Sequence, residues 1–271
     1  MTATTFKSRI NLCFGKLRQC GSKGLVVYLT AGDPSLAATG ELLAAIERGG
    51  ADVIELGVPF SDPLADGPVI QRASERALRS GTTLTRILEH LPRWREKLQA
   101  PVVLFTYFNP VLQFGLERFA REAAQAGADG ALVVDLTPEE AEDYTAVMRA
   151  QHLDTIFLAA PTSTDARLEL AARSSSGFLY LISRTGVTGE RAAIEASART
   201  LVERARRLTA LPLAVGFGIS KPEQVREVQA LADAAVVGSA VVHAIEERYD
   251  SAGAPAIEQF VRALKEGCNP A

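Results

Sequence analysis

Eight short β-rich runs, each followed by a stretch with helical periodicity, constrain this chain more than any other feature. The runs are Leu25–Thr30, Val53–Gly57, Val102–Tyr107, Gly130–Val134, Thr155–Ala159, Phe178–Ile182, Leu213–Gly216 and Ala234–Val237. Between them lie Ala-, Leu-, Glu- and Arg-rich segments such as Leu36–Arg48, Leu116–Ala126, Glu139–Gln151 and Ala192–Leu208. Such alternation builds a parallel sheet covered by helices, and eight units predict a closed (β/α)8 TIM barrel. A doubly wound open sheet is the competing architecture, but no Gly-x-Gly-x-x-Gly opens the first unit. An amphipathic segment, Phe6–Gln19, precedes the first strand and is expected to form an extra N-terminal helix plugging the barrel floor. Gly-Ala-Asp stands twice just before a strand, at Gly50-Ala51-Asp52 and Gly127-Ala128-Asp129, where it ends a helix and turns the chain. The 271 residues contain no linker or low-complexity stretch, so one domain over residues 1–271 is expected.

Charge and composition exclude several functions. A net charge of −3 and a pI near 5.8 give no electrostatic case for nucleic acid or an anionic membrane. No apolar run approaches the roughly 20 residues that span a bilayer. The N-terminus lacks the basic start, apolar centre and small-residue cleavage site of an export signal, so a cytoplasmic location is expected. Cys13, Cys20 and Cys268 lack metal-ligand spacing and read as reduced thiols. His90, His152 and His243 fall in helix-like segments away from any motif. Neither a metal site nor a cofactor is expected.

The second run carries the chemistry. In extended geometry Val53, Glu55 and Gly57 share one face and Ile54, Leu56 and Val58 the other, so a carboxylate is embedded in an apolar strand. The loop Pro59-Phe-Ser-Asp-Pro-Leu-Ala-Asp-Gly-Pro68 then adds Asp62 and Asp66. A buried glutamate is costly unless paired or used, which points to acid–base work at a strand's C-terminal end. The same rim collects Thr30-Ala-Gly-Asp-Pro34, Thr106-Tyr-Phe-Asn-Pro110, Tyr180 with Ser183–Gly189, Gly216-Phe-Gly-Ile-Ser220 and Gly238-Ser239. The last three form a candidate phosphate cradle, in which glycine N–H groups at Gly189, Gly218 and Gly238 approach an anion closely. Taken singly, Asp33 reads as a helix cap, Asp62 and Asp66 as turn residues, Glu55 as half of an ion pair, and Tyr180 and Phe217 as core. Their placement at one rim favours a site.

In order and spacing these motifs resemble the tryptophan synthase α chain family over about Phe6 to Leu264, most specifically at Asp52–Pro68. The resemblance implies a lyase that cleaves indole-3-glycerol phosphate to indole and glyceraldehyde 3-phosphate by a retro-aldol step. It implies Glu55 as the general acid–base and Asp66 as the carboxylate on the indole nitrogen. Tyr28, Phe105, Tyr107 and Tyr180 would line the indole pocket, and Gly189, Phe217, Gly218, Gly238 and Ser239 would contact phosphate. Thr188, on a mobile lid, would reach towards Asp66. The resemblance also implies a pyridoxal-phosphate-dependent β chain as partner in an α2β2 heterotetramer, contacted through Pro59, Asp62, Asn109 and Pro110. Two positions depart from the pattern: Tyr28 replaces the phenylalanine of some members, and Thr137 the proline of many. A stand-alone lyase, an inactive barrel serving only to activate a β chain, and another phosphate-binding isomerase barrel are the alternatives.

Overall fold

The computed structural model describes residues 8–182, 191–216 and 218–267. In chain order its elements begin α1 (Arg9–Gln19), β1 (Gly24–Thr30), α2 (Leu36–Arg48), β2 (Val53–Gly57), α3 (Pro68–Arg79) and α4 (Leu84–Arg95). They continue β3 (Val102–Thr106), α5 (Phe108–Phe114), α6 (Leu116–Ala126), β4 (Gly130–Val133), α7 (Glu142–Ala150), β5 (Asp154–Ile156) and β6 (Leu158–Ala159). The chain then forms α8 (Asp165–Ser174), β7 (Leu179–Ile182), α9 (Arg191–Leu208), β8 (Leu213–Gly216), α10 (Pro222–Gln229), β9 (Ala234–Val237) and α11 (Ser239–Glu266).

Every ladder is parallel, in the order β5-β4-β3-β2-β1-β9-β8-β7-β6. The two ends of that row, β5 and β6, are one extended run interrupted at Phe157. Its N–H is diverted to the Ser175 hydroxyl at 3.1 Å, while its carbonyl still accepts the Tyr180 N–H at 3.1 Å. The ring therefore closes, and the expected strand Thr155–Ala159 is present in two pieces.

Alternation fixes what each strand residue meets. Val26, Val53, Val103, Leu132 and Ile156 point inward, closed from below by Ile10 and Phe14 of α1. Residues of the opposite parity, among them Val27, Leu29, Ile54 and Leu56, pack outward against the helices. The N-terminal helix starts at Arg9 because Ser8 caps it, its hydroxyl accepting the Asn11 N–H at 3.1 Å.

The Gly-Ala-Asp repeats have a specific job at the floor. Gly127 ends α6 in the left-handed conformation, φ 89°. The aspartate then pairs twice with a residue at the start of a neighbouring strand. Asp129 donates its N–H to the Val102 carbonyl and accepts the Val102 N–H on its carboxylate, both at 2.8 Å. Asp52 does the same with Leu25, at 2.8 and 2.6 Å, and Asp233 with Leu213, at 2.9 Å each. A cation answers each carboxylate: Lys265 at Asp52, Arg95 and Arg9 at Asp129, Arg206 at Asp233.

Two sequence expectations change. The helix expected over Glu139–Gln151 is a 3-10 turn, Pro138–Glu140, followed by α7, because Ala141 between them is not helical (φ −97°, ψ 12°). His152 is not in a helix; it sits in the turn after α7 with φ 58°. After strand three, Phe108, Asn109 and Pro110 open α5, with Tyr107 at its N-cap position. The helix that follows Gly238 runs from Ser239 to Glu266 and breaks at Gly253, φ 65°. Phe6 and Cys268 lie outside the described residues.

Asp129 and Arg95 are both nearly inaccessible to water, so Asp129→Ala removes an acceptor and strands a buried cation. The expected cost is about 3 kcal/mol, read as a lower urea midpoint at unchanged slope. A loss below ~1 kcal/mol would show that the floor contact is dispensable.

Candidate active site

Above the apolar floor layer the barrel interior becomes polar. Glu55 sits in the middle of β2, between Tyr28 of β1 and Val103 of β3 in register, and is 1% exposed. Its Oε1 has no hydrogen-bond partner among the described residues, and the ion-pair reading of Glu55 finds no cation. Burial alone pushes its carboxyl up to about 8, so it holds its proton at neutral pH.

Asp66 lies on the loop joining β2 to α3. That loop is a folded turn: the Leu64 N–H bonds the Asp62 carbonyl at 2.9 Å, and the Asp66 N–H bonds the Pro63 carbonyl at 3.0 Å. Pro68 at the first turn of α3 anchors its far end. Tyr107 holds its inner side. The Tyr107 hydroxyl donates to Asp66 Oδ2 at 3.0 Å and accepts the Ala65 N–H at 3.0 Å, with its ring tilted on Phe60 at 5.1 Å. Burial raises the Asp66 carboxyl to about 6, and the Tyr107 hydroxyl works against that rise. At pH 7 one carboxyl is therefore neutral and the other ionised.

Aromatic side chains wall this chamber. Tyr28 meets Phe105 edge-on, with centroids 5.1 Å apart at 76°. Tyr180, on β7, is held above its ordinary ionisation by burial and by the nearby Glu55 charge. Glycine faces each tyrosine for a steric reason. A Cβ on Gly57 would stand 2.2 Å from the Tyr28 hydroxyl, and one on Gly216 would stand 2.2 Å from the Tyr180 hydroxyl.

The cradle residues occupy the ends of β8 and β9. Gly238 caps α11, its carbonyl accepting the Val241 and Val242 N–H groups, and a Cβ on it would lie 3.4 Å from Tyr28 Cβ. The cradle thus borders the aromatic chamber. The N–H groups that open the helix, those of Ser239 and Ala240, have no partner within it. Gly218 is exposed with φ 60°, and nothing lies within 4 Å of a Cβ built on it. Thr188, Gly189 and Phe217 lie outside the described residues.

Of the rim positions, Asp62 and Asn109 are exposed and Pro110 is half-buried, whereas Pro59 is buried within the chain. The sequence did not flag Leu64 and Leu112, which are 92% and 57% exposed on the same rim. Nor did it pair Asp33 with Arg76. Asp33 does not cap α2, a task Ser35 performs; it receives two bonds of 2.8 Å from the Arg76 guanidinium, which also meets Glu246 of α11. Two chain segments 43 residues apart carry no local signal for such a contact. Among the described residues no three His, Cys, Asp or Glu side chains stand close enough to share a metal ion.

Residues 14–269 match the family model described as tryptophan synthase alpha chain. A tryptophan synthase alpha chain of Solibacter usitatus is 56% identical over 96% of this chain and 98% of its own length. That of Citrifermentans bemidjiense is 54% identical over 96% of this chain and 97% of its own. The crystal structure of the tryptophan synthase alpha subunit of Legionella pneumophila superposes with a TM-score of 0.89 at 35% identity, covering 96% of this chain and 98% of that one. A Mycobacterium tuberculosis tryptophan synthase structure gives 0.89 at 37% identity, with 97% and 99% covered.

Tyr107→Phe removes the hydroxyl that favours ionised Asp66. The Asp66 carboxyl, followed by carbon-13 NMR, is expected to titrate above its value of about 6. An unchanged midpoint would mean the bond does not act on it.

Proposed function

The chain belongs to the tryptophan synthase alpha chain family, and from that premise we propose that Glu55 and Asp66 carry its chemistry. The reaction is a lyase step of tryptophan biosynthesis, in which indole-3-glycerol phosphate is cleaved to indole and glyceraldehyde 3-phosphate. The bond to be broken joins C3 of the indole ring to a carbon bearing a hydroxyl. Indole leaves poorly as a carbanion, so C3 takes a proton first and positive charge develops at the ring nitrogen. Neutral Glu55 supplies that proton, and the Asp66 carboxylate accepts the ring N–H and stabilises the charge. The electron pair of the C–C bond then returns to the ring while the hydroxyl becomes an aldehyde. The hydroxyl proton passes to the Glu55 carboxylate, which resets the acid for the next turnover.

One observation carries this reading: a fully buried carboxyl group with an unpartnered oxygen, raised to about 8 by burial alone. A structural carboxylate in that position would need a cation. Phosphate binding falls to the backbone N–H groups of Gly218, after β8, and of Gly238 and Ser239 at the start of α11, joined by Gly189 and Phe217 on the family pattern. Tyr28, Phe105 and Tyr180 wall the indole ring, while Tyr107 serves it indirectly by fixing the Asp66 loop. On the family pattern Thr188, outside the described residues, would reach towards Asp66.

The same reading extends to a partner, a pyridoxal-phosphate-dependent β chain in an α2β2 heterotetramer that receives the indole. In its favour is the rim around Asp62, Asn109 and Pro110, which leaves Leu64 and Leu112 in water. Pro59, being buried, acts there by shaping the loop. The setting is the cytoplasm; no helix among the described residues is long and apolar enough to cross a membrane.

Indole release from indole-3-glycerol phosphate by the purified chain tests the catalytic assignment. Glu55→Gln is expected to lower kcat by about a thousandfold or more. The kcat/KM profile is expected to rise through about 6 as Asp66 ionises and to fall through about 8 as Glu55 loses its proton. Equal rates in wild type and Glu55→Gln would sink the mechanism. For the partner face, Leu112→Asp is expected to weaken β-chain association by about tenfold or more, measured by calorimetry, with lyase turnover of the isolated chain retained. Undiminished association would remove Leu112 from the interface.

A further inference from the structure

The catalytic reading leaves one buried polar pair of the chamber without a task. Tyr28 and Thr30 point inward from β1, 5% and 2% exposed, and their hydroxyls are bonded at 3.2 Å. The tyrosine hydroxyl occupies the space a side chain on Gly57 would take, since a Cβ there would stand 2.2 Å away. Its ring is restrained on its other sides as well. Phe105 meets it edge-on, and Val69, Ile70 and Ala73 of α3 and Val242 of α11 pack around it. Beside it in register stands Glu55, the residue at the reacting carbon.

An indole ring offers a single polar atom, its N–H, and the proposed Asp66 contact uses it. The remaining ring edge is apolar and gains nothing from a wall hydroxyl as a hydrogen-bond partner. Thr30 satisfies that hydroxyl within the wall, so it contributes as a fixed volume. We infer that Tyr28, locked by Thr30 over Gly57, is a specificity-determining residue that excludes substituted indole rings. This inference rests on the indole-3-glycerol phosphate reading above. The wall takes up one heavy atom's worth of space, the volume of the methyl group that would distinguish a substituted ring from indole. Removing the phenol oxygen opens a recess of that size above Gly57 without altering either carboxyl group.

The test is the reverse condensation with glyceraldehyde 3-phosphate, run with indole and with indoles methylated in turn at each benzo-ring carbon. Wild type, Tyr28→Phe and Thr30→Val are compared by the ratio of kcat/KM for each methylindole to that for indole. In Tyr28→Phe this ratio is expected to rise about tenfold or more for at least one isomer, the scale on which a pocket discriminates one methyl group. Thr30→Val, which keeps the phenol but frees it to move, is expected to favour the same isomer by a smaller factor. A loss of stability alone would lower all rates and leave the ratios unmoved. Ratios within about twofold of wild type for every isomer would overturn the inference. Failure of the wild-type chain to condense indole itself would instead overturn the lyase reading beneath it.

Discussion

A closed ring of parallel strands sends every second side chain into a space that side chains must fill, and here the filling changes character with height. The lower layer is apolar and sealed by Ile10 and Phe14. The upper layer keeps the same parity but substitutes Glu55 for an aliphatic residue and glycine at Gly57 and Gly216. Everything chemical follows from that exchange. The sealed floor keeps water from reaching Glu55 from below. Helices hold the strands from outside, and the glycines open room for tyrosine hydroxyls. A carboxyl group in such a layer cannot ionise cheaply, and the fold supplies no cation to make it do so.

The floor and the rim divide the work of stability and function. At the floor, Asp52, Asp129 and Asp233 each fix a neighbouring strand through two backbone contacts and are answered by a cation. At the rim, Glu55 is left without such an answer. The same residue class is satisfied at one end of the barrel and deliberately unsatisfied at the other, as a scaffold separate from its site requires. Asp66 stands between these cases: its partner, Tyr107, is neutral, so the carboxylate is favoured without being committed to an ion pair.

Much of this was legible in the chain. Period-two alternation put Glu55 on one face with Val53 and Gly57, a face that turns into the barrel, and the helical periods placed α2, α6 and α9 within a residue of their observed ends. What was not legible arises from contacts between distant segments. The interruption of strand five depends on Ser175 capturing the Phe157 N–H, and no local pattern announces that. Tyr107 read as a pocket wall, but its hydroxyl is spent on a loop 41 residues earlier in the chain. Asp33 read as a cap, yet Arg76 of α3 claims it. Pro59 read as a surface contact because its loop is at the rim, while its own side chain turns inward. The Gly-Ala-Asp repeats were visible as turns, but the double strand contact of their aspartates needed the closed ring to exist.

Catalysis as derived depends on Glu55 being a neutral acid at neutral pH while Asp66 is charged. Selective carbon-13 labelling of glutamate, with Glu55 assigned from the spectrum of Glu55→Gln, allows its carboxyl to be titrated directly in the unliganded chain. The expected midpoint for Glu55 is near 8. A Glu55 midpoint in the ordinary glutamate range near 4.5 would leave it ionised at neutral pH, with no proton to deliver to C3, and would rule it out as the acid.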